Sequence, residues 1–371
     1  MARTLLVLGN GFDLKIGLKS SFRGYLDSVF YQPKIDIVHE IYDLANQQIR
    51  TIDIYPPQNP ISEPMRNLFT QITFWDLYYA IPHIYKFRNV DYWYDFESQL
   101  LRFIASIEND YNDYKEIITT NNIEAHNRIQ KEDEQKTVYD FILHQYLECY
   151  EKEAYKYDKL LKKDMVKYEK DFGNYIALQQ KSFLEYDKIS KEIIQKLVGD
   201  GNLVYVNTFN YTNLKKAVST ECDIWHVNGD FENPIFGIDY TGKDPVNSKW
   251  FTFSKTYRRL ELHGNDLYFP KNKEFSKVVI YGHSLNRQDY NYFYALFNRI
   301  NLSNDRGKRN GYTVEFVYSK YPGKESDDAR QETIERVLKL FQGYNKEILH
   351  EENFRLMDIL FSNGAVKFRE I

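Results

Sequence analysis

The chain is 371 residues long, which allows one large or two modest domains with a full core. Its hydrophobic share of 43% excludes a disordered polymer, and its net charge of -4 argues against a protein built to coat nucleic acid. No apolar stretch reaches transmembrane length, and the mean hydropathy of -0.60 fits a soluble chain. The two cysteines, Cys149 and Cys222, form neither a disulfide framework nor a paired metal or redox site, so a reducing cytoplasm is the expected setting.

Residues 4–9, apolar from Leu5 to Leu8, read as a first strand that breaks at Gly9-Asn10-Gly11. This segment runs straight into a turn and does not read as a signal peptide. Gly17 to Ser21 reads as a turn with a serine cap, and a helix is predicted over Phe22–Val29. From residue 35 to 200 no strand is expected, because leucines and aromatics recur at helical spacing among charges. Pro56, Pro57 and Pro60 mark a loop over residues 51–64. Val138–Lys196 reads as two or three long amphipathic helices with solvated charges and half-buried tyrosines.

Beyond Gly199-Asp200-Gly201 strands return. Leu203–Asn207 is predicted as a strand, and Thr208–Asn213 as a turn into a helix. Asp223–His226 is a short strand that ends at Val227-Asn228-Gly229-Asp230. Ile235–Ile238 is a strand or a loop. Val278–Tyr281 ends at Gly282-His283-Ser284, Tyr312–Tyr318 is a further strand, and Ala329–Gln342 is a helix. Strands alternating with helices, with unusual residues at the strands' carboxyl ends, predict an α/β fold with a Rossmann-like, doubly wound parallel sheet. The sheet is split in sequence: residues 1–34 and 200–371 form the nucleotide-binding domain, and residues 35–199 are an all-helical insertion.

Gly9-Asn10-Gly11 sits where small residues let backbone N–H groups approach a pyrophosphate. Leu14 breaks the full G-x-G-x-x-G pattern and no Walker A sequence occurs, so a tight turn without ligand explains the same glycines. Asp13 would repel a phosphate and is assigned to a ribose hydroxyl, a water or the loop itself. The amide of Asn210 has donors and an acceptor, suited to orienting a water or a ribose hydroxyl, or to an Asx turn. Of the eight histidines, only His226 and His283 stand at predicted strand ends near a glycine. His226 suits a general base near neutral pH, or a hydrogen-bonded core residue. Gly282-His283-Ser284 lacks the second glycine of a nucleophile elbow, so Ser284 is read as a helix cap or nucleotide contact, with Asp289 in the helix beyond. No HExxH sequence and no cysteine pair occur, and no metal is expected.

In this order the segments resemble the AbiH family of bacteriophage abortive-infection proteins. The resemblance is carried by Gly9-Asn10-Gly11-Phe12-Asp13-Leu14 with Gly17-Leu18 and Ser20-Ser21, and by Trp93-Tyr94-Asp95-Phe96-Glu97 with Leu100. It continues through Asn207-Thr208-Phe209-Asn210-Tyr211-Thr212, Phe236-Gly237-Ile238-Asp239, and Gly282-His283-Ser284-Leu285 with Asp289. The same segments are similar to a divergent sirtuin-type NAD-binding fold. Gly9 and Gly11 match its paired glycines, Asn210 the asparagine by the nicotinamide ribose, and Ser284 the serine of a Gly-x-Ser segment. Two positions depart: the sirtuin serine falls on Asp13, and the histidine before glycine falls on Asn228, with His226 two residues upstream.

What the resemblance implies is an antiphage effector that takes NAD as substrate and hydrolyses the nicotinamide–ribosyl bond. It implies catalytic roles for Asn210, His226 and Asp13, and nucleotide contacts from Gly9, Asn10, Gly11, Phe12, Thr208, Asn228, Gly282 and Ser284. Glu97 enters as a replacement acid or as a solvated helix residue. Two alternatives stay open. One is a non-catalytic nucleotide sensor whose insertion engages a partner; the other is a toxin directed at nucleic acid through the segment Lys156–Lys167. Expected partners are the nucleotide, a phage-derived trigger or partner protein, and further copies of the chain, with no membrane.

Overall fold

Thr4 to Leu8 are all fully buried, which fits a strand covered on both faces. They belong to β1 (Arg3–Leu8), which leads through Gly9-Asn10 into α1 (Gly11–Ile16). The computed structural model describes residues 3–50, 61–86, 96–97, 99–101, 103–104, 131–150, 157–199, 202–238, 249–263, 269, 275–302, 311–320, 326–350 and 355–371. The helices α2 (Phe22–Leu26), α3 (Gln32–Arg50), α4 (Glu63–Phe69), α5 (Phe74–Tyr85), α6 (Lys131–Tyr150), α7 (Tyr157–Ser182) and α8 (Tyr186–Val198) follow. Then come β2 (Asn202–Thr208), β3 (Asp223–His226), α9 (Lys255–His263), β4 (Lys277–Tyr281) and α10 (Tyr290–Arg299). The chain continues through β5 (Thr313–Tyr318), α11 (Ser326–Glu347), α12 (Arg355–Ser362) and β6 (Val366–Glu370).

Among the described residues the six strands are parallel and lie in the order β3-β2-β1-β4-β5-β6. This is the Rossmann order, and it puts the first strand at the centre of the sheet. Alternate residues of each strand face opposite cores. Leu5, Val7, Val278 and Ile280 pack with Phe293, Leu340 and Leu360 from α10, α11 and α12. Leu6, Leu8, Val206 and Val279 pack with Phe12, Ile194 and Leu197 from α1 and α8. The predicted doubly wound α/β sheet is therefore present.

The chain divides into two units. The sheet unit holds Met1–Ser20, Gly173–Ile235 and Lys255–Ile371; the helical unit holds Ser21–Phe172 and Phe236–Ser254. The helical unit starts before residue 35, where Phe22 and Tyr25 of α2 pack on Tyr79 and Tyr168, and ends before 199, because the apolar face of α8 belongs to the sheet's own core. The helical unit is packed with aromatic side chains, Trp75, Tyr25, Tyr31, Tyr79 and Tyr168 among the largest fully buried. Its buried Asp76 accepts from Tyr31 Oη at 2.8 Å and Lys34 Nζ at 2.9 Å, and it closes a capping box with Thr73.

Three local expectations need correction. Tyr146, Tyr168, Tyr175 and Tyr186 were expected half-buried and are fully buried. Burial is tolerable where the hydroxyl finds an acceptor, as in Tyr146 to Asp164 Oδ2 at 2.6 Å and Tyr175 to the Lys19 carbonyl at 2.5 Å. No helix follows Thr208–Asn213; a single turn closes from Ala217 N to the Leu214 carbonyl instead. Asn213 Oδ1 takes the Lys215 N–H, and Asn, Ser and Thr residues here favour such local bonds over helix. Ile235–Ile238 is a loop with one isolated bridge, Ile238 to Ser254. Of the predicted loop 51–64, residues 51–60 lie outside the described residues and α4 begins at Glu63; the Trp93–Asp95 segment, Lys156 and Asp239 lie outside them too.

Candidate functional site

The carboxyl ends of β1, β2, β3 and β4 are tied together by main-chain bonds. Phe209 N donates to the Leu8 carbonyl and Val227 N to the Thr208 carbonyl, both at 2.8 Å. Gly9 N donates to the Tyr281 carbonyl at 3.0 Å, and Gly11 N to the Gly282 carbonyl at 2.7 Å. Polar residues that follow these strands therefore gather along one edge, where open parallel sheets bind ligands.

The glycines here serve loop packing. A Cβ on Gly9 would collide with His283 Cα, and one on Gly11 would come within 2.8 Å of Gly282 Cα. Gly282 has φ +69° and its added Cβ would strike Phe12 N. The anion-cradling role predicted for Gly9 and Gly11 meets a different geometry: both N–H groups are committed to carbonyl oxygens of the facing loop. Asn10 stays exposed at the tip, and its Oδ1 accepts from Ser20 Oγ at 2.5 Å.

Asp13 is 1% exposed. Its Oδ1 accepts from Tyr186 Oη at 2.6 Å and its Oδ2 from Thr212 Oγ1 at 3.0 Å. The Tyr186 oxygen also lies 2.8 Å from Thr212 Oγ1, but its one proton goes to the charged acceptor. Burial pushes the Asp13 carboxyl up to about 6, against the hydrogen bonds from Tyr186 and Thr212 and the nearby Asn210 amide. The Asp13 side chain is bonded to Tyr186 of α8 and to Thr212 in the loop after β2.

That loop carries Asn210. Its N–H donates to Thr208 Oγ1 at 3.0 Å, which gives Thr208 a loop-capping role. Its carbonyl lies 3.1 Å from His226 Nδ1. Its side chain stands close enough to favour the charged Asp13, yet neither Nδ2 nor Oδ1 completes a hydrogen bond, and the residue is 3% exposed. A buried amide left in this state costs about 1–3 kcal/mol. His226, half-buried, must donate from Nδ1 to the Asn210 carbonyl, so the neutral ring has its lone pair at Nε2.

His226 opens a turn closed by Gly229 N to the His226 carbonyl at 3.2 Å. Gly229 adopts φ +75°, and an added Cβ would collide with the Asn233 carbonyl. Asn228 and Val227 are bound by Arg259 of α9, which the sequence reading missed. Arg259 Nη2 is 3.6 Å from Asp289 Oδ1, which also accepts from Lys255 Nζ at 2.6 Å. Burial would raise Asp289, but Lys255, His283 and Arg259 together hold it below the usual carboxylate range. His283 is pushed down to about 4 by burial and by Lys255 and Arg259, in spite of Asp289, so it is neutral near pH 7. The Leu285 N–H donates to His283 Nδ1 at 2.8 Å.

Asp13, Asn210, Thr208, His226 and Asn228 are thus brought together in the sheet unit. Ser284 is exposed and caps no helix; Asn286 and Asp289 hold the cap positions beyond it. Asn207 is turned into the core, donating to Tyr292 Oη at 2.5 Å. Glu97 lies half-buried in the helical unit. Tyr186 and Lys255, like Arg259, belong to the site without standing at a strand end. The basic run Lys255, Arg258, Arg259 was a signal for two of these, whereas nothing marked Tyr186 among its neighbours.

The fold and this edge define an α/β protein of Rossmann strand order with its polar loops gathered at the carboxyl end. A family model described as "Bacteriophage abortive infection AbiH" matches residues 5–308, and the chain belongs to the AbiH family. Its role is accordingly in abortive infection of phage. No curated protein and no solved structure matched the chain. Among the described residues no helix is long and apolar enough to cross a membrane.

Proposed function

We propose that this edge binds NAD or a related nucleotide in a sirtuin-like manner and hydrolyses its nicotinamide–ribosyl bond, so that infected cells lose NAD. One observation carries the reading: the Asn210 side-chain amide is buried near Asp13 and completes no hydrogen bond, while its own backbone carbonyl takes His226 Nδ1. An amide held this way by its own loop is prepared to exchange its unmet bonds for a ribose hydroxyl and a water. Asp13 acts from behind, fixing the loop through Thr212 and placing a negative charge near the ribose as it becomes cationic.

In the reaction the C1′–N bond breaks and its electron pair goes to the pyridinium nitrogen, which leaves as neutral nicotinamide. Water forms the new bond to C1′, and its proton passes to His226 Nε2. Purified protein incubated with NAD should release nicotinamide, and Asn210→Ala should abolish that release. NAD left untouched by the wild type, alone and in extracts of infected cells, would refute the reading.

Binding without turnover is favoured by one fact, the sealing of Asp13 away from solvent. It predicts saturable NAD binding with no nicotinamide released, and defence that survives Asn210→Ala.

A further inference from the structure

Arg259 decides which half of the Asn228 amide faces outward. Its Nη2 donates to Asn228 Oδ1 at 2.7 Å and its Nε to the Val227 carbonyl at 3.1 Å. One planar fork thereby holds both the side chain and the backbone of the turn after His226. A guanidinium has only donors, so Asn228 turns its oxygen toward Arg259 and its Nδ2 away. Asn228 is 6% exposed, and among the described residues its Nδ2 meets no acceptor, which leaves this outward N–H for water or a ligand oxygen.

The support behind Arg259 sets local preferences aside. Asp289 occupies the N-cap of α10, yet its side chain makes no cap bond and faces Lys255, Arg259 and His283 instead. Four residues earlier Leu285 adopts φ +51°, a conformation that a side chain with a Cβ rarely takes. Both departures lie on the segment that brings this carboxylate to Arg259.

We propose that Arg259, held by Asp289, is a positioning residue that fixes Asn228 as a hydrogen-bond donor, so that the site takes a ligand with an acceptor oxygen at the turn His226–Gly229. The oxygen is a carbonyl, as in a carboxamide, or a phosphoryl or ribose oxygen. This rests on the nucleotide reading above and names the group that the turn recognises.

The test uses the full chain titrated with NAD and with ADP-ribose by calorimetry, as wild type, Asn228→Asp and Arg259→Lys. Asn228→Asp keeps the shape but presents an oxygen where the donor was, and NAD binding should weaken about tenfold or more. An equal loss for ADP-ribose assigns the acceptor to the ribose or phosphates; a loss confined to NAD assigns it to the carboxamide. Arg259→Lys keeps the charge without the fork and should give a smaller loss of NAD affinity than Asn228→Asp. Equal affinities in all three proteins overturn the proposal. Should the wild type bind neither nucleotide, the nucleotide reading falls by itself. The orientation is then decided by the Asn228 side-chain N–H resonances of the unliganded chain. They should move and exchange faster with water in Arg259→Lys, and unchanged resonances overturn the proposal.

Discussion

Asp13→Asn separates a charge from the hydrogen bonds that surround it. The folded chain holds the Asp13 proton up to about pH 6, whereas an ordinary aspartate releases it near 3.8. The folded state therefore binds this proton more tightly than the unfolded chain. Its contribution favours folding below 3.8 and is lost as pH rises through about 6. A separation of about two units corresponds to about 3 kcal/mol, a figure that full burial leaves undiminished by solvent. In Asp13→Asn the side chain stays neutral and can still accept from Tyr186, so this pH-dependent loss disappears. The difference in unfolding free energy between variant and wild type should thus shift toward the variant by about 3 kcal/mol from acid to pH 8, about half of it above pH 5. Urea unfolding of both proteins across that range measures it. Stability curves that run parallel from pH 5 to pH 8 would show that the buried carboxylate carries no such cost.

Asn210→Ala should end NAD hydrolysis while leaving the urea midpoint at pH 5, where Asp13 is protonated, unchanged or raised, because it removes a buried amide that completes no hydrogen bond. A lowered midpoint would mean that the amide is bonded within the fold. Gly282→Ala should lower stability by about 2 kcal/mol or more, since φ +69° and the approach of Phe12 N both oppose a Cβ. Thermal melting checks this, and an unchanged midpoint counts against the loop contact. Tyr186→Phe removes the 2.6 Å donor to Asp13 and should cost about 1.5–3 kcal/mol above pH 6, with a smaller loss where the carboxyl is protonated. A loss independent of pH would assign it to packing alone.

The parallel sheet was legible because its inner strands are short apolar runs with polar residues at one end. Asp223–His226 matches β3 to the residue, and Val278–Tyr281 lacks only the first residue of β4. The edge strand β6 was not seen, since Val-Lys-Phe-Arg-Glu has too little apolar character to mark a strand. Arg369 makes it fit by bonding Glu315 and the Leu197 carbonyl, contacts from distant parts of the chain. In the candidate site, Asn210 and His226 could be picked out because they stand at or just beyond strand ends. Tyr186 and Arg259 could not, because helices remote in sequence bring them there. Nor could spacing tell that the Gly9 and Gly11 amides are committed to the facing loop, since that depends on the direction each N–H takes.

The central place of β1 has a consequence for how the protein is made. Leu8 pairs with Thr208 on one side and Tyr281 on the other. On the ribosome this apolar strand emerges long before either neighbour, and at about 5–20 residues per second it waits on the order of tens of seconds for them. During that time it is a sticky, unpaired segment that depends on chaperones or on its own helices for cover. The loop from Gly9 to Gly11 likewise cannot close until Gly282 has been synthesised. In a nascent chain cut short before β4, Gly9 and Gly11 lack their main-chain acceptors and this edge cannot form.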